Sequence, residues 1–211
     1  MKYKGIIFDL DGVICSTDEY HFSAWKKLAD EIGAVGFSRD DNLRQRGVSR
    51  MESLEVVLEK TEKKYTYEEK VALAERKNGY YKEMLKEMNE GDLSDEVKNT
   101  LLSLRAEGVK LAIGSSSKNA RFILERLGLR DFFDAVSDGN NITRSKPDPE
   151  VFLKAAEFLG LEPADCLVVE DAQAGIDAAV SGGFDSAGIS AASGYGKAVY
   201  KLKNFADLMK I

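Results

Sequence analysis

Two aspartates that lie two positions apart, Asp9 and Asp11, follow a short apolar run and immediately precede Gly12. Because side chains alternate between the two faces of a strand, residues i and i+2 would share a face. Two carboxylates placed in this way at pH 7 repel each other unless a cation or a shared proton intervenes. The pattern predicts a carboxylate site at the end of a buried strand, although an ordinary strand that runs into an Asp-Gly turn has the same local sequence.

Polar groups also stand at the ends of other apolar runs. Ser115 follows one such run, Glu170 and Asp171 follow another, and Lys146 lies in a further loop before a proline. In parallel sheets, ligands collect at the carboxyl ends of the strands. We therefore expect these segments to converge with the first two aspartates on one site.

The four carboxylates of this predicted site would crowd one another. Two unit charges about 4 Å apart repel by roughly 4 kcal/mol at an effective dielectric constant near 20. Such a group needs a divalent cation and a lysine, and an all-oxygen set without His or Cys favours Mg2+ where phosphate is handled. Lys146 could hold a phosphate oxygen, and Ser115 offers a hydroxyl beside backbone amides at a helix start. Together the residue types suit phosphoryl transfer through an aspartyl-phosphate.

Two kinds of segment must position these groups. Residues 15–92 contain no proline and show helical periodicity, with capping boxes at Ser49–Glu52 and Thr66–Glu69 and an apolar stripe that includes Trp25. From residue 93 onward, helical and strand patterns alternate. The predicted helices are 95–107, 118–127, 149–159 and 172–181, and the predicted strands are 109–114, 135–136, 166–169 and 187–189.

Short strands without polar alternation, separated by helices, imply a parallel sheet that is covered on both faces. The predicted fold class is therefore α/β, with a doubly wound, mainly parallel sheet core and a small all-helical cap domain inserted after the first strand. The core domain would comprise residues 1–14 and 93–211, and the cap domain residues 15–92.

The composition excludes several classes of protein. A net charge of -6 argues against a nucleic-acid or anionic-membrane partner, and no apolar run approaches the ~18 residues of a transmembrane helix. Cys15 and Cys166 have no metal-ligand spacing and are expected to be free, buried thiols in a reducing compartment. His21 is the single histidine, which rules out a multi-histidine metal site. We expect a cytoplasmic monomer that binds neither nucleic acid nor membrane.

Four segments in order resemble the four motifs of the haloacid dehalogenase-like superfamily. They are Phe8–Gly12, the strand end at Ser115, Lys146–Pro149, and Val169–Asp171 followed by Ala174–Ile176. The resemblance implies that Asp9 is the nucleophile and Asp11 the general acid/base, with Ser115 and Lys146 as further catalytic residues. It also implies that Mg2+ is held by Asp9, the Asp11 carbonyl, Glu170 and Asp171.

The segments around residues 17–25, 46–53, 76–78 and 115–119 are similar to the β-phosphoglucomutase group of that superfamily. By this resemblance, Arg50 grips the phosphate that is not transferred, together with Ser117 and Asn119. Thr17, His21 and Lys77 would link cap closure to the general acid/base. The implied substrate-binding residues are Thr17, His21, Trp25, Arg46, Gly47, Arg50, Ser53, Lys77, Ser116, Ser117 and Asn119.

Several of these positions have a simpler interpretation. Lys77 and Arg46 on helical surfaces would ordinarily be solvated charges, His21 could be a packed histidine, and Ser53 could be a polar residue near a helix start. Arg46 also departs from the group, where a lysine is usual, and Ser116 replaces a typical alanine. Arg50 has independent support, because an arginine in the first turn of a capped helix makes a good phosphate site.

Three functions follow from this set of residues. The first is a mutase that interconverts β-D-glucose 1-phosphate and glucose 6-phosphate, with glucose 1,6-bisphosphate as primer and intermediate. The second is a Mg2+-dependent sugar-phosphate phosphatase, in which water accepts the phosphoryl group. The third is a phosphosugar-binding protein without activity, which would not need both Asp9 and Asp11. The mutase is the preferred hypothesis.

Overall fold

The computed structural model describes residues 2–46 and 48–211. The six strands found in these two ranges form one sheet in the order β3-β2-β1-β4-β5-β6, and every neighbouring pair is parallel. This arrangement confirms the predicted fold class. The strands are β1 Gly5–Phe8, β2 Lys110–Gly114, β3 Ala135–Ser137, β4 Cys166–Glu170, β5 Asp185–Gly188 and β6 Tyr200–Lys201.

Eight α-helices accompany the sheet among the described residues. The first five lie between β1 and β2 in the chain, and the other three connect later strands. They are α1 Asp18–Ile32, α2 Arg39–Leu43, α3 Arg50–Leu58, α4 Tyr67–Leu85, α5 Asp95–Ala106, α6 Ala120–Arg126, α7 Glu150–Leu159 and α8 Gln173–Ser181. Short 3-10 segments occur at Glu90–Asp92, Pro163–Asp165, Ser190–Gly194 and Phe205–Lys210.

The sheet is apolar on both faces, which explains why its strands lack polar alternation. Ile6 and Phe8 of β1 point into a cluster that also contains residues of α5 and α6. Ile7 points to the other face, where it packs with Phe152 of α7 and with residues of α8. Helices therefore cover both faces, and the sheet forms the centre of the core.

The register brings three strand ends together. Phe8 of β1 lies opposite Ile113 of β2 on one side and opposite Val169 of β4 on the other. The residues that follow these three strands therefore leave the sheet at the same edge.

The inserted helices, α1 to α4, have an apolar cluster of their own. Trp25 and Leu28 of α1 pack with Leu54 of α3 and Leu73 of α4. The last part of α4 does not belong to this cluster. Tyr81 and Leu85 pack instead in the cluster that contains Ile6 and Phe8 of β1. Residues 15–46 and 48–92 contain no strand, as predicted; Cys15 forms only an isolated β-bridge with Asp11. Both predicted capping boxes, at Ser49 and Thr66, are confirmed.

Two details differ from the expected elements. The helix expected from residue 118 begins at Ala120, because the Ser115 and Ser117 hydroxyls accept hydrogen bonds from the amides of Ser117 and Asn119 and form a turn first. A sixth strand of two residues, Tyr200–Lys201, was not predicted. An edge strand of this length carries no periodic pattern that could reveal it.

Two expectations from the composition agree with the structure. Cys15 and Cys166 are both buried and form no disulfide. Within residues 2–46 and 48–211, none of the helices has the length and apolarity that crossing a bilayer would require.

Candidate functional site

A cavity of about 500 Å³ lies between the carboxyl edge of the sheet and the inserted helices. Every predicted site residue that the structure describes lines this cavity, and Gly47 lies outside the described residues. The lining residues that were predicted are Asp9, Asp11, Thr17, His21, Trp25, Arg46, Arg50, Ser53, Lys77, Ser115, Ser116, Ser117, Asn119, Lys146, Glu170 and Asp171.

Three buried carboxylates form the sheet side of the cavity. One oxygen each of Asp9, Glu170 and Asp171 lies within 4.8 Å of the other two. Lys146 Nζ donates to Asp9 Oδ1 at 2.5 Å and also forms an ion pair with Glu170. Burial and the charge of Asp9 raise the pKa of Asp171 to about 8, and burial raises that of Glu170 to about 7. Ionising these carboxylates together is unfavourable unless a cation offsets their charge. Their oxygen atoms are the ligand type that a hard divalent cation prefers.

Two glycines allow this close packing. Gly12 has a φ of +89°, and a Cβ on it would lie 2.2 Å from Asp171 Oδ2. A Cβ on Gly175 would lie 2.0 Å from the Glu170 carboxylate. Neither position has space for a side chain, so both glycines are needed to keep the carboxylates where they are.

Asp11 stands apart from the three-carboxylate cluster. Its carboxylate accepts a hydrogen bond from the Thr17 hydroxyl, and burial together with the charge of Asp9 raises its pKa to about 6. A carboxyl group that titrates near neutral pH suits general acid/base chemistry. Thr17 occupies the N-cap position of α1 without capping it, because its hydroxyl is used on Asp11. A metal contact through the Asp11 carbonyl stays a prediction.

The half-buried His21 and the buried Lys77 form a pair that lines the cavity. Lys77 Nζ lies 3.0 Å from His21 Nδ1, 4.5 Å from the ring centre of Trp25 and 4.6 Å from that of Tyr81. Burial lowers the pKa of both His21 and Lys77. The charges of Lys77 and Arg50 lower that of His21 further, and the charge of Arg50 lowers that of Lys77 further. With a relative exposure of 3%, Lys77 is not the solvated helix charge of the simpler interpretation.

Arg46 extends from the turn after α2 toward the carboxylates. It forms an ion pair with Asp18 of α1, and its Nη1 lies 3.9 Å from Asp171 Oδ2. Ser53 of α3 is buried, and its carbonyl accepts a hydrogen bond from the Gln45 side chain at 2.8 Å. Arg46 therefore places a positive charge near the acidic cluster, whereas the Ser53 contact holds the turn against α3.

A second set of polar groups lies at the start of α3, on the side of the inserted helices, and in the turn between β2 and α6. Arg50 is the first residue of α3, whose N-cap Ser49 accepts from the Glu52 amide at 3.2 Å. Asn119 donates its side-chain amide to Asn78 Oδ1 at 2.9 Å, which joins the start of α6 to α4. The Ser116 hydroxyl is buried and has no hydrogen-bond partner among the described residues.

Several polar residues of the cavity were not predicted as site residues, and three of them form a hydrogen bond or ion pair with the side chain of a predicted one. Asn78 contacts Asn119, Glu75 pairs with Arg50, and Asp18 pairs with Arg46. Two of them lie on α4, where Ala74, Lys77, Asn78 and Tyr81 are buried at helical spacing. That spacing could have identified Asn78 as facing inward. The partners of Asn78, Glu75 and Asp18 lie 25 to 41 residues away in the chain, so local spacing does not identify them.

Comparisons with known proteins agree with this geometry. Residues 3–183 match a family model described as haloacid dehalogenase-like hydrolase. A Bacillus subtilis protein named beta-phosphoglucomutase is 45% identical over 188 residues, which cover 88% of this chain and 83% of that protein. A Thermotoga maritima phosphorylated carbohydrates phosphatase is 32% identical over 185 residues, 86% of this chain and 82% of its own. A crystal structure of Clostridium difficile beta-phosphoglucomutase superposes with a TM-score of 0.90 at 38% identity, covering 98% of this chain and 93% of that one.

Proposed function

Because the chain belongs to the haloacid dehalogenase-like hydrolase family, we propose that it is a mutase that interconverts β-D-glucose 1-phosphate and glucose 6-phosphate. One observation carries the proposal. A single cavity has phosphate-binding groups on two sides, with Lys146 and Ser115 beside Asp9 on the sheet side and Arg50 on the helical side. A sugar bisphosphate needs a binding site for each of its two phosphates, whereas a simple phosphate ester needs only one. The similarity to two beta-phosphoglucomutases supports the same substrate class.

The sheet-side residues supply the transfer chemistry. An Asp9 oxygen attacks phosphorus, its O–P bond forms, and the bond from phosphorus to the sugar oxygen breaks. Asp11 gives its proton to the leaving oxygen and later takes one from the sugar hydroxyl that attacks the aspartyl-phosphate. Lys146 balances negative charge on the phosphoryl oxygens, and the Ser115 hydroxyl donates to one of them.

In this cycle the phosphorylated Asp9 transfers its group to the 6-hydroxyl of β-glucose 1-phosphate. The resulting glucose 1,6-bisphosphate reverses its orientation in the cavity, and Asp9 then accepts the phosphoryl group from the C1 oxygen. Glucose 6-phosphate leaves, and the enzyme is phosphorylated again. Glucose 1,6-bisphosphate therefore serves both as intermediate and as primer.

Asp9, Glu170 and Asp171 would hold Mg2+, together with the Asp11 carbonyl. Their oxygens lie close enough to share one ion. Burial, together with the charge of Asp9, raises the pKa of Glu170 and of Asp171, and a bound cation would offset this cost of ionisation. When bound, the ion would offset charge on the carboxylates and on the phosphoryl group.

Millimolar Mg2+ is expected to raise the melting temperature by about 5–10 °C. A ligand at 100 times its dissociation constant stabilises a fold by about 2.7 kcal/mol, and for a chain of this size each kcal/mol corresponds to about 2–4 °C. The measurement is a thermal melt with and without Mg2+. The shift should vanish with EDTA and shrink in Asp171→Asn, and an unchanged melting curve in the wild type would refute the metal site.

Residues 15–92 would act as a cap domain over a core formed by residues 1–14 and 93–211. Its closure would exclude water, which competes with the sugar hydroxyl for the aspartyl-phosphate. The His21–Lys77 contact and the Thr17–Asp11 hydrogen bond lie at the junction between α1, α4 and the first strand end. Cap position would thereby control the orientation of Asp11.

A sugar-phosphate phosphatase is the second candidate. The Thermotoga maritima relative carries such a name, and the sheet-side residues would serve water as acceptor equally well. In that case Asp11 would activate water instead of a sugar hydroxyl, and the helical side would only select the substrate.

One assay separates the two candidates. β-Glucose 1-phosphate is supplied with Mg2+, with and without glucose 1,6-bisphosphate, and both glucose 6-phosphate and free phosphate are measured. A mutase forms glucose 6-phosphate and is stimulated by the bisphosphate. Release of free phosphate faster than formation of glucose 6-phosphate would favour the phosphatase.

A further inference from the structure

Arg50 forms an ion pair with a carboxylate of its own chain. Its Nη1 lies 2.5 Å from Oε1 of Glu75, so the contact joins the start of α3 to α4. Both residues line the cavity, and the Glu75 side chain is 63% exposed, against 21% for Arg50. The carboxylate is therefore the more solvent-exposed partner, and it occupies a hydrogen-bonding position of the guanidinium that a ligand phosphate in the cavity would use.

The Arg50–Glu75 contact has fewer hydrogen bonds than two other ion pairs of the inserted helices. Arg44 binds Glu59 through two parallel hydrogen bonds of 2.7 and 2.8 Å. Lys70 contacts both oxygens of Glu55, at 2.7 and 2.9 Å. Arg50, by contrast, contacts Glu75 through one pair of atoms. A phosphate dianion, which carries more charge and accepts two parallel hydrogen bonds from a guanidinium, would bind Arg50 more strongly than this carboxylate does.

We propose that Glu75 is a specificity-determining residue, whose carboxylate holds Arg50 until the distal phosphate of a phosphosugar displaces it. The inference rests on the proposed function in one respect, the assignment of Arg50 to the distal phosphate. Neutral groups do not displace the carboxylate, so a ligand without a distal phosphate gains nothing from Arg50. The displaced Glu75 is already largely in water and needs no new partner.

The surroundings of Arg50 explain why an internal carboxylate is useful there. The charge of Arg50 contributes to the lowered pKa of both His21 and Lys77, which also line the cavity. Glu75 offsets part of this positive charge when no ligand is bound. A bound phosphate then offsets the charge of Arg50 in its place, so the His21–Lys77 pair has an anion near it in both states.

The test is the affinity for glucose 6-phosphate, measured by titration calorimetry with Mg2+ present. All proteins carry Asp9→Asn, so that neither transfer nor hydrolysis consumes the ligand. Adding Glu75→Gln is expected to lower the Kd about two- to fivefold, the range that corresponds to exposed ion pairs worth up to about 1 kcal/mol. Glu55→Gln is the matched control, because it breaks a Lys70 pair between the same two helices at similar exposure and should leave the Kd unchanged.

A double-mutant cycle with Arg50→Ala separates this role from a structural one. If Glu75 acts through Arg50, Glu75→Gln gives no gain in affinity when Arg50 is absent. An unchanged or higher Kd in Glu75→Gln, or an equal gain in the Arg50→Ala background, would overturn the inference. The product assay decides between mutase and phosphatase independently, because a phosphatase that grips glucose 6-phosphate through Arg50 would show the same gain.

Discussion

Asp9→Asn is expected to abolish turnover, whereas Asp11→Asn should reduce it by about 10²–10⁴-fold. Without the Asp9 carboxylate no covalent phosphoryl-enzyme forms, so both halves of the cycle stop. Without the Asp11 carboxyl the nucleophile remains, but the leaving oxygen receives no proton. The measurement is steady-state turnover of β-glucose 1-phosphate, together with the intact mass of each protein after exposure to a phosphodonor.

The mass measurement distinguishes the two roles. An adduct of one phosphoryl group is expected in the wild type and absent in Asp9→Asn. Asp165→Asn is a suitable control, because Asp165 precedes β4 at the opposite edge of the sheet and pairs with Lys4. Full activity of Asp9→Asn would exclude the covalent mechanism.

Arg50→Ala is expected to slow isomerisation by at least about 10²-fold, which corresponds to about 2.7 kcal/mol of lost transition-state binding. The intermediate must be held by one phosphate while the other is presented to Asp9, and Arg50 is the arginine that begins α3 on the helical side. Hydrolysis of a small activated phosphate ester has no distal phosphate to hold, so it should fall far less. Both rates are measured with the same enzyme preparation.

Arg44→Ala serves as the control for Arg50→Ala. Arg44 is also an arginine of the inserted helical region, but it pairs with Glu59 outside the cavity, so neither rate should change by more than a small factor. Equal losses of both activities in Arg50→Ala would show that the residue is structural.

The sheet and its functional edge could be predicted because local patterns determine them. Apolar runs without alternation indicate buried parallel strands, and polar residues directly after them must lie at one edge. Asp9, Ser115 and Glu170 therefore follow from the pattern of each segment alone. The capping boxes at Ser49 and Thr66 are equally local, because each involves residues only three positions apart.

The contacts across the helices could not be predicted in the same way. Helical spacing identifies which residues of α4 face inward, but it does not identify what they face. Glu75 meets Arg50 and Asn78 meets Asn119 only because α4 packs against α3 and reaches the start of α6. Thr17 likewise has the sequence of a helix cap, and only the folded chain shows its hydroxyl on Asp11.

The position of the four inserted helices has a consequence for how such enzymes diversify. They enter the chain between β1 and β2, which pair directly with each other from Gly5 with Lys110 to Phe8 with Ile113. Changes within α1–α4 that spare the contacts of Thr17, Arg46 and Tyr81 therefore leave this pairing and the carboxylate edge intact, while they alter the groups on the other side of the cavity. Selection can act on substrate preference through the insertion and on reactivity through the sheet, largely as separate traits. Relatives that share the reactive edge can in this way acquire different phosphate esters as substrates.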